Sequence, residues 1–233
     1  MSTNLAHERF KDAPWYGKQH ISILGAGGIG SWVALLLAKA GHTLYIYDDD
    51  LVELSNIGGQ LYGDPSKGIG KVGALINILN STTTHPEVFN MGRWESDSDL
   101  NTITILCFDN MKYRKLAIEK WLKTIKTSNI RNQPKILIDG RMEAETAIIY
   151  AIDSPKDYTR YMEEWFDDSV VPDAPCSFRA TSHNGAMIAS YIVSILNNKI
   201  TNDIDKQAEK MPIREVPYKI EYELPTLTHK VIL

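Results

Sequence analysis

His20-Ile21-Ser22-Ile23-Leu24 runs directly into Gly25-Ala26-Gly27-Gly28-Ile29-Gly30, and Trp32, Val33, Leu35, Leu36 and Leu37 follow. A short apolar run bounded by glycine reads as a buried strand, and the run after the glycines, closing near Gly41, reads as a helix. Leu44 to Tyr47 is then a second strand, with Asp48 at its end. Strand, glycine-rich turn, helix, strand is the opening of a Rossmann-type parallel sheet, whose crossover is right-handed. Within that unit Gly25 permits the tight turn, Gly27 lets backbone approach a ligand phosphate, and Gly30 lets helix and strand pack closely. The helix N-terminus points at the anion. Asp48 lies 18 residues after Gly30, where a strand-end carboxylate accepts hydrogen bonds from ribose hydroxyls. The chemistry indicated is nucleotide binding, without a choice between NAD and ATP; a glycine turn that merely packs helix on strand is the bland alternative.

Working outward, Lys71 to Asn80 reads as a helix with Val72, Leu75, Ile76 and Leu79 on one side, and Ile103 to Phe108 as a buried strand. Met111 to Lys126 has helical spacing. Lys135 to Asp139 is another strand ending in an acidic residue, and Thr146 to Ile152 one more. Ser154 to Pro175 is polar and aromatic and reads as a loop or lid. Ala186 to Leu196 resumes as helix, and Tyr218 to Leu224 is a strand candidate without an evident sheet partner.

The chain has 233 residues, 43 % apolar and 23 % charged, enough for a sizeable core and ordinary for a folded domain. A net charge of −4 gives no electrostatic case for nucleic acid or an anionic membrane as partner. The longest apolar run, Trp32 to Ala38, is seven residues, far short of the roughly 20 that span a bilayer. Met1 to Trp15 lacks the apolar segment of a secretory signal. Two cysteines, Cys107 and Cys176, make neither a disulfide framework nor a four-thiolate zinc site. No zinc is expected, and a reducing, cytoplasmic setting fits. Cys107 reads as mid-strand core.

Asp48-Asp49-Asp50-Leu51-Val52-Glu53-Leu54-Ser55-Asn56 is followed by Gln60, Lys71 and Cys107-Phe108-Asp109-Asn110. That series resembles the ThiF/MoeB/HesA superfamily, adenylating enzymes related to ubiquitin-activating enzymes. Its pattern has an aspartate-x-aspartate strand end, a serine-asparagine-leucine-x-arginine-glutamine stretch, a lysine opening the next helix, and an aspartate-asparagine closing a later strand. The resemblance spans about Arg9 to Leu196. It implies that Asp48 is the ribose ligand, that Asn56 and Lys71 contact the triphosphate, and that Asp109 is the Mg²⁺ carboxylate. Gly25, Gly27, Gly28, Ile29, Gly30, Asp50, Gln60 and Asn110 complete the expected ATP site. Against these stand plainer roles: Lys71 as an exposed helix-start lysine, Asp109 and Asn110 as caps of the helix near Met111, and Asp50 facing solvent.

Where the family has an arginine one residue before the glutamine, this chain has Gly59. The resemblance offers a second arginine from the partner subunit's N-terminal arm, and Arg9 is the candidate, with a plain surface arginine as the alternative. Cys176, in Pro175-Cys176-Ser177-Phe178-Arg179, stands where ThiF-like proteins place a cysteine; its thiolate, favoured by Arg179 and a helix N-terminus, would attack an acyl-adenylate. Some family members do not use this cysteine.

The expected architecture is therefore α/β: a Rossmann-like, mostly parallel sheet flanked by helices, with a C-terminal extension. Residues 1–19 form an N-terminal arm, 20–200 the nucleotide-binding and adenylation domain, and 201–233 the extension. By resemblance, the protein is an ATP-dependent adenylyltransferase and a homodimer, activating the C-terminal carboxylate of a ubiquitin-like or sulfur-carrier protein or of a peptide. The alternatives are a catalytically impaired ATP-binding subunit of an activating complex, suggested by Gly59, and an NAD-dependent oxidoreductase, suggested by the glycine turn and Asp48.

Overall fold

A computed structural model describes residues 9–17, 19–84, 86–127, 133–167, 180–211 and 213–233. Strand β1 (His20–Leu24), helix α1 (Gly30–Lys39) and strand β2 (Thr43–Tyr47) form the first unit. They are followed by the short α2 (Leu54–Ile57), α3 (Lys71–Thr82), β3 (Val88–Asn90), β4 (Ile103–Leu106) and α4 (Met111–Thr127). The remainder is β5 (Ile136–Glu143), β6 (Thr146–Ile152), α5 (Pro155–Glu163), α6 (Ser182–Gln207), β7 (Lys219–Glu223) and β8 (Thr228–Ile232).

All eight strands join one sheet in the order β3-β2-β1-β4-β5-β6-β7-β8. The pairs from β3 through β5 are parallel, and β5 to β8 form an antiparallel meander. The expected α/β fold, a mostly parallel sheet flanked by helices, is present. The chain runs from β1 outward through β2 to β3 and then crosses back to β4 on the other side of β1, so the strand order reverses there and a crevice lies at the carboxyl ends of β1 and β4.

The apolar runs are continuous because both faces are covered. Ile21, Ile23, Ile103, Ile105, Ile136 and Ile138 face a core closed by α1, α3 and α6. Leu24, Leu106 and Leu137 face a second core, with Ile118 and Trp121 of α4 and Tyr161 of α5. Pairs such as Ile23 and Leu24 thus divide between the two layers.

The structure corrects several expectations. The stretch read as a loop from Ser154 begins with α5, whose cap Ser154 accepts a hydrogen bond from the Asp157 amide at 3.2 Å and whose first turn contains Pro155. These are helix-start signals, masked in sequence because α5 fully buries only Tyr161. Strand β5 continues past Asp139 to Glu143 because it pairs with β6 as a hairpin. Strand β4 stops at Leu106, so Cys107 lies just beyond the strand rather than within it. Helix α6 crosses residue 200, and the tail strand finds its partners in β6 and β8.

Candidate nucleotide site

The glycine turn is a set of close approaches. Gly25 has φ +100°, and a Cβ there would lie 2.8 Å from the Cys107 carbonyl oxygen. A Cβ on Gly30 would collide with the carbonyl of Gly25, so this glycine packs against the turn itself. Around Gly27 the space is open: the nearest atom to its Cβ position is Gln60 Nε2 at 3.9 Å. Gly28 lies under the Met142 methyl, 2.9 Å from where its Cβ would be. Ile29 is the residue before α1 and turns its side chain into the core, and no side chain caps that helix. Ser31 Oγ donates to the Gly27 carbonyl at 2.7 Å and accepts from the Leu61 amide, tying the turn to the segment after Gln60. Tyr62 Oη donates to the Ala26 carbonyl at 2.7 Å from a buried position. Sequence reasoning passed over Ser31 and Tyr62, because no local pattern shows that segments about 30 residues apart meet.

Asp48 bridges this turn and the end of β2. Its Oδ2 accepts from the Ala26 amide at 2.7 Å and its Oδ1 from the Asp50 amide at 2.9 Å. Burial pushes its carboxyl up, while the Ala26 amide and Lys71 pull in the other direction. Lys71, the first residue of α3, donates from Nζ to Asp50 at 2.7 Å. Its side chain is 10 % exposed, which removes the reading of Lys71 as a solvent-facing lysine. Asp50 does not simply face solvent either, since it holds this ammonium. Burying an ammonium is costly unless it is paired, and here it is paired beside Asp48.

Asn56 Oδ1 accepts from the Glu53 amide at 2.9 Å, engaging the acceptor half of its side-chain amide in capping α2. Gln60 Oε1 is buried with no hydrogen-bond partner. An orphaned buried acceptor is uncommon, and it is the other half of this amide, Nε2, that lies nearest the space at Gly27. Gly59 is buried, and a Cβ on it would sit 3.1 Å from the Ala180 carbonyl oxygen. The position where the family pattern has arginine is therefore packed against the chain entering α6.

The turn after β4 completes the corner. The Cys107 amide donates to Leu24 at 2.8 Å and its carbonyl lies against Gly25. Burial pushes the Cys107 thiol up to about 12, so it is a packing group. Asp109, two residues on, is exposed. Asn110 Oδ1 accepts from the Tyr113 amide at 3.1 Å, which makes Asn110 a cap of α4.

Arg9 is exposed, in an arm that packs at the other end of α1. Phe10 stacks on Trp15 at 5.7 Å, and the Gly17 amide donates to the Ala40 carbonyl at 2.9 Å. Ten helical residues span about 15 Å, so within one protomer this arm stands away from the glycine turn. Cys176 and Arg179 fall outside the described residues.

Among the described residues no three or more His, Cys, Asp or Glu side chains gather into a metal cluster. The single exposed carboxylate of Asp109 still fits Mg²⁺, which is commonly held by one or two carboxylates together with substrate phosphates and water. The open space at Gly27 and the buried Lys71 ammonium fit a nucleotide polyphosphate. No described helix is long and apolar enough to cross a membrane.

Residues 15–128 match the ThiF family. A 66-residue stretch is 47 % identical to the adenylyltransferase and sulfurtransferase MOCS3 of Dictyostelium discoideum, covering 26 % of this chain and 16 % of that protein. A 114-residue stretch is 26 % identical to ubiquitin-like modifier-activating enzyme 5 of Culex quinquefasciatus, covering 48 % and 24 %. The matches thus span a quarter or less of these curated relatives. Among solved structures, PaaA superposes with a TM-score of 0.67 at 19 % identity, over 97 % of this chain and 65 % of that one. E. coli MccB with ATP gives 0.62 at 14 % identity, also over 97 % and 65 %. These likenesses show a shared fold.

Proposed function

We propose, from the ThiF family domain that this chain carries at residues 15–128, that the protein is an ATP-dependent adenylyltransferase acting on a carboxylate. The substrate is the C-terminal carboxylate of a ubiquitin-like or sulfur-carrier protein, or of a peptide. One carboxylate oxygen attacks the α-phosphorus of ATP; the oxygen–phosphorus bond forms as the bond to the bridging oxygen breaks, and that oxygen leaves on pyrophosphate. The product is an acyl-adenylate.

The observation that supports this most is the buried Lys71 ammonium, paired with the exposed Asp50 carboxylate beside Asp48, near the open glycine turn at the crevice of the sheet. A polyanion entering there meets an ammonium already desolvated and fixed, which stabilises charge moving onto pyrophosphate without reorganisation. Asp48, rigidly held by two amides, retains lone pairs for the ribose hydroxyls. Gln60, Asn56 and Asn110 are assigned to the same site as part of the proposal. Asp109 would hold Mg²⁺, which supplies neutralisation of the phosphates.

Arg9 would reach this site from a second protomer, since its own arm packs at the far end of α1; the homodimer is part of the proposal. Cys176 is the proposed acceptor of the activated acyl group, and the cytoplasm the proposed setting. A second reading, an ATP-binding subunit with weak turnover, is favoured by Gly59, which lacks the family's guanidinium and whose Cβ position lies 3.1 Å from the Ala180 carbonyl oxygen.

Exchange of labelled pyrophosphate into ATP tests the reaction, with ubiquitin-like proteins, sulfur-carrier proteins and peptides as acceptors. Exchange that needs both the carboxylate partner and Lys71 supports adenylation. Nucleotide binding without exchange for any partner favours the second reading.

A further inference from the structure

We infer that Arg114 is a positioning residue for Asp109, holding the corner that presents this carboxylate by clamping the carbonyl of Phe108. The inference rests on the adenylation reading, in which Asp109 is the Mg²⁺ ligand.

Arg114 lies one turn into α4 and is 4 % exposed. Its Nη2 donates to the Phe108 carbonyl, and its Nη1 donates to Asp139 Oδ1 and to the Gly140 carbonyl at 3.2 Å. Asp139 is fully buried, and its other oxygen accepts from Arg141 Nε at 2.9 Å and from Tyr161 Oη at 2.8 Å. Arg141 is itself packed over the Tyr150 and Tyr161 rings, 4.6 and 5.1 Å from their centroids. The clamp is thus anchored to β5, β6 and α5 at once.

Asp109 sits between two fixed peptides. On one side the Phe108 carbonyl is held by the buried guanidinium; on the other Asn110 caps α4 through the Tyr113 amide. That leaves Asp109 mainly its side-chain torsions to lose on binding a ligand. Two guanidiniums share one buried carboxylate, so the cluster carries a surplus positive charge beneath the corner, and Asp109 and Arg114 attract each other. An arginine needed only to join α4 to β5 would be complete with Asp139 and Gly140. The third bond, to the residue immediately before Asp109, is the one that reaches the site. Groups that orient a metal ligand commonly alter metal affinity when changed, by about 10- to 100-fold.

The test is a double-mutant cycle on binding, which needs no acyl substrate. Affinity for a nonhydrolysable ATP analogue is measured by calorimetry, with Mg²⁺ and with EDTA, for the wild type, Arg114→Lys, Asp109→Asn and the double variant. Arg114→Lys is expected to weaken Mg²⁺-dependent binding about ten-fold while leaving binding in EDTA unchanged. The double variant should be no weaker than Asp109→Asn alone. Equal loss with and without Mg²⁺, or full additivity, would overturn the inference and leave Arg114 a structural residue. Should Arg114→Lys not fold, Tyr161→Phe removes a single hydroxyl from the same cluster. It should speed amide hydrogen exchange at Phe108 to Asn110 in the metal-free protein and weaken Mg²⁺-dependent binding in the same direction. Unchanged exchange and binding in that variant would equally overturn the inference. A wild type that binds no nucleotide in either buffer would instead refute the adenylation reading on which it stands.

Discussion

Asp48, at the end of β2, and Asp139, within β5, are carboxylates of the same sheet in corners built on opposite terms. Asp139 is fully buried and is taken up by Arg114, Arg141 and Tyr161. Asp48 is half-buried and meets two backbone amides, with Lys71 engaged on the neighbouring Asp50. Around Asp139 every polar atom named has a protein partner; around Asp48 Gln60 Oε1 has none, and the space at Gly27 is open. A saturated carboxylate has no valence left for a ligand, whereas one held by two backbone amides keeps lone pairs that a ligand could use.

The contrast breaks first at Asp139. Replacing it with alanine strands Arg114 and Arg141 as buried cations, and losing one partner of such a group costs about 3–5 kcal/mol. A fall in melting temperature of roughly 10 °C is expected; an unchanged melting curve would mean that charge does not hold this corner. Next in size is Gly30→Ala, whose Cβ would run into the Gly25 carbonyl; overpacking of this kind costs about 1–3 kcal/mol. Gly27→Ala has room and should melt like the wild type, but bind the nucleotide analogue more weakly. If the two alanine variants behave alike, the turn is only a packing device.

Asp48→Asn sharpens the comparison. The amide keeps one acceptor and turns a donor toward the other backbone N–H, so stability should drop by about 1 kcal/mol, while nucleotide affinity drops about ten-fold, another 1.4 kcal/mol. Denaturant titration and calorimetry separate the two. The smallest effect is expected away from both corners, at His42 near the far end of α1. Burial pulls this imidazole down from 6.5 to about 4. The unfolded chain therefore binds the extra proton first: stability is complete above pH 6.5 and is lost as pH falls toward 4. Urea midpoints should show about 1 kcal/mol less stability at pH 5.5 than at pH 7.5, and His42→Phe should flatten that slope.

Much of the first corner is legible in sequence because its signals are local. The strand from His20 and the glycine spacing fall within a few residues of each other, and Lys71 opens a helix with an apolar side. What escaped reading depends on long-range contact. Arg114 looks like any basic residue on an amphipathic helix until Asp139, 25 residues away, is brought under it. The α5 cap was hidden by a polar sequence, and the orphaned Gln60 acceptor is visible only once the turn has folded over it. Residues 128–132 and 168–179, which include Cys176, fall outside the described structure.

The most direct test of the account is calorimetric binding of a nonhydrolysable ATP analogue with Mg²⁺, beside NAD, to the wild type and to Lys71→Ala. The account predicts binding of the Mg-nucleotide that the lysine substitution weakens at least about ten-fold, a loss of 1.4 kcal/mol or more, and no comparable binding of NAD. Binding of NAD alone, or nucleotide binding indifferent to Lys71, would contradict it.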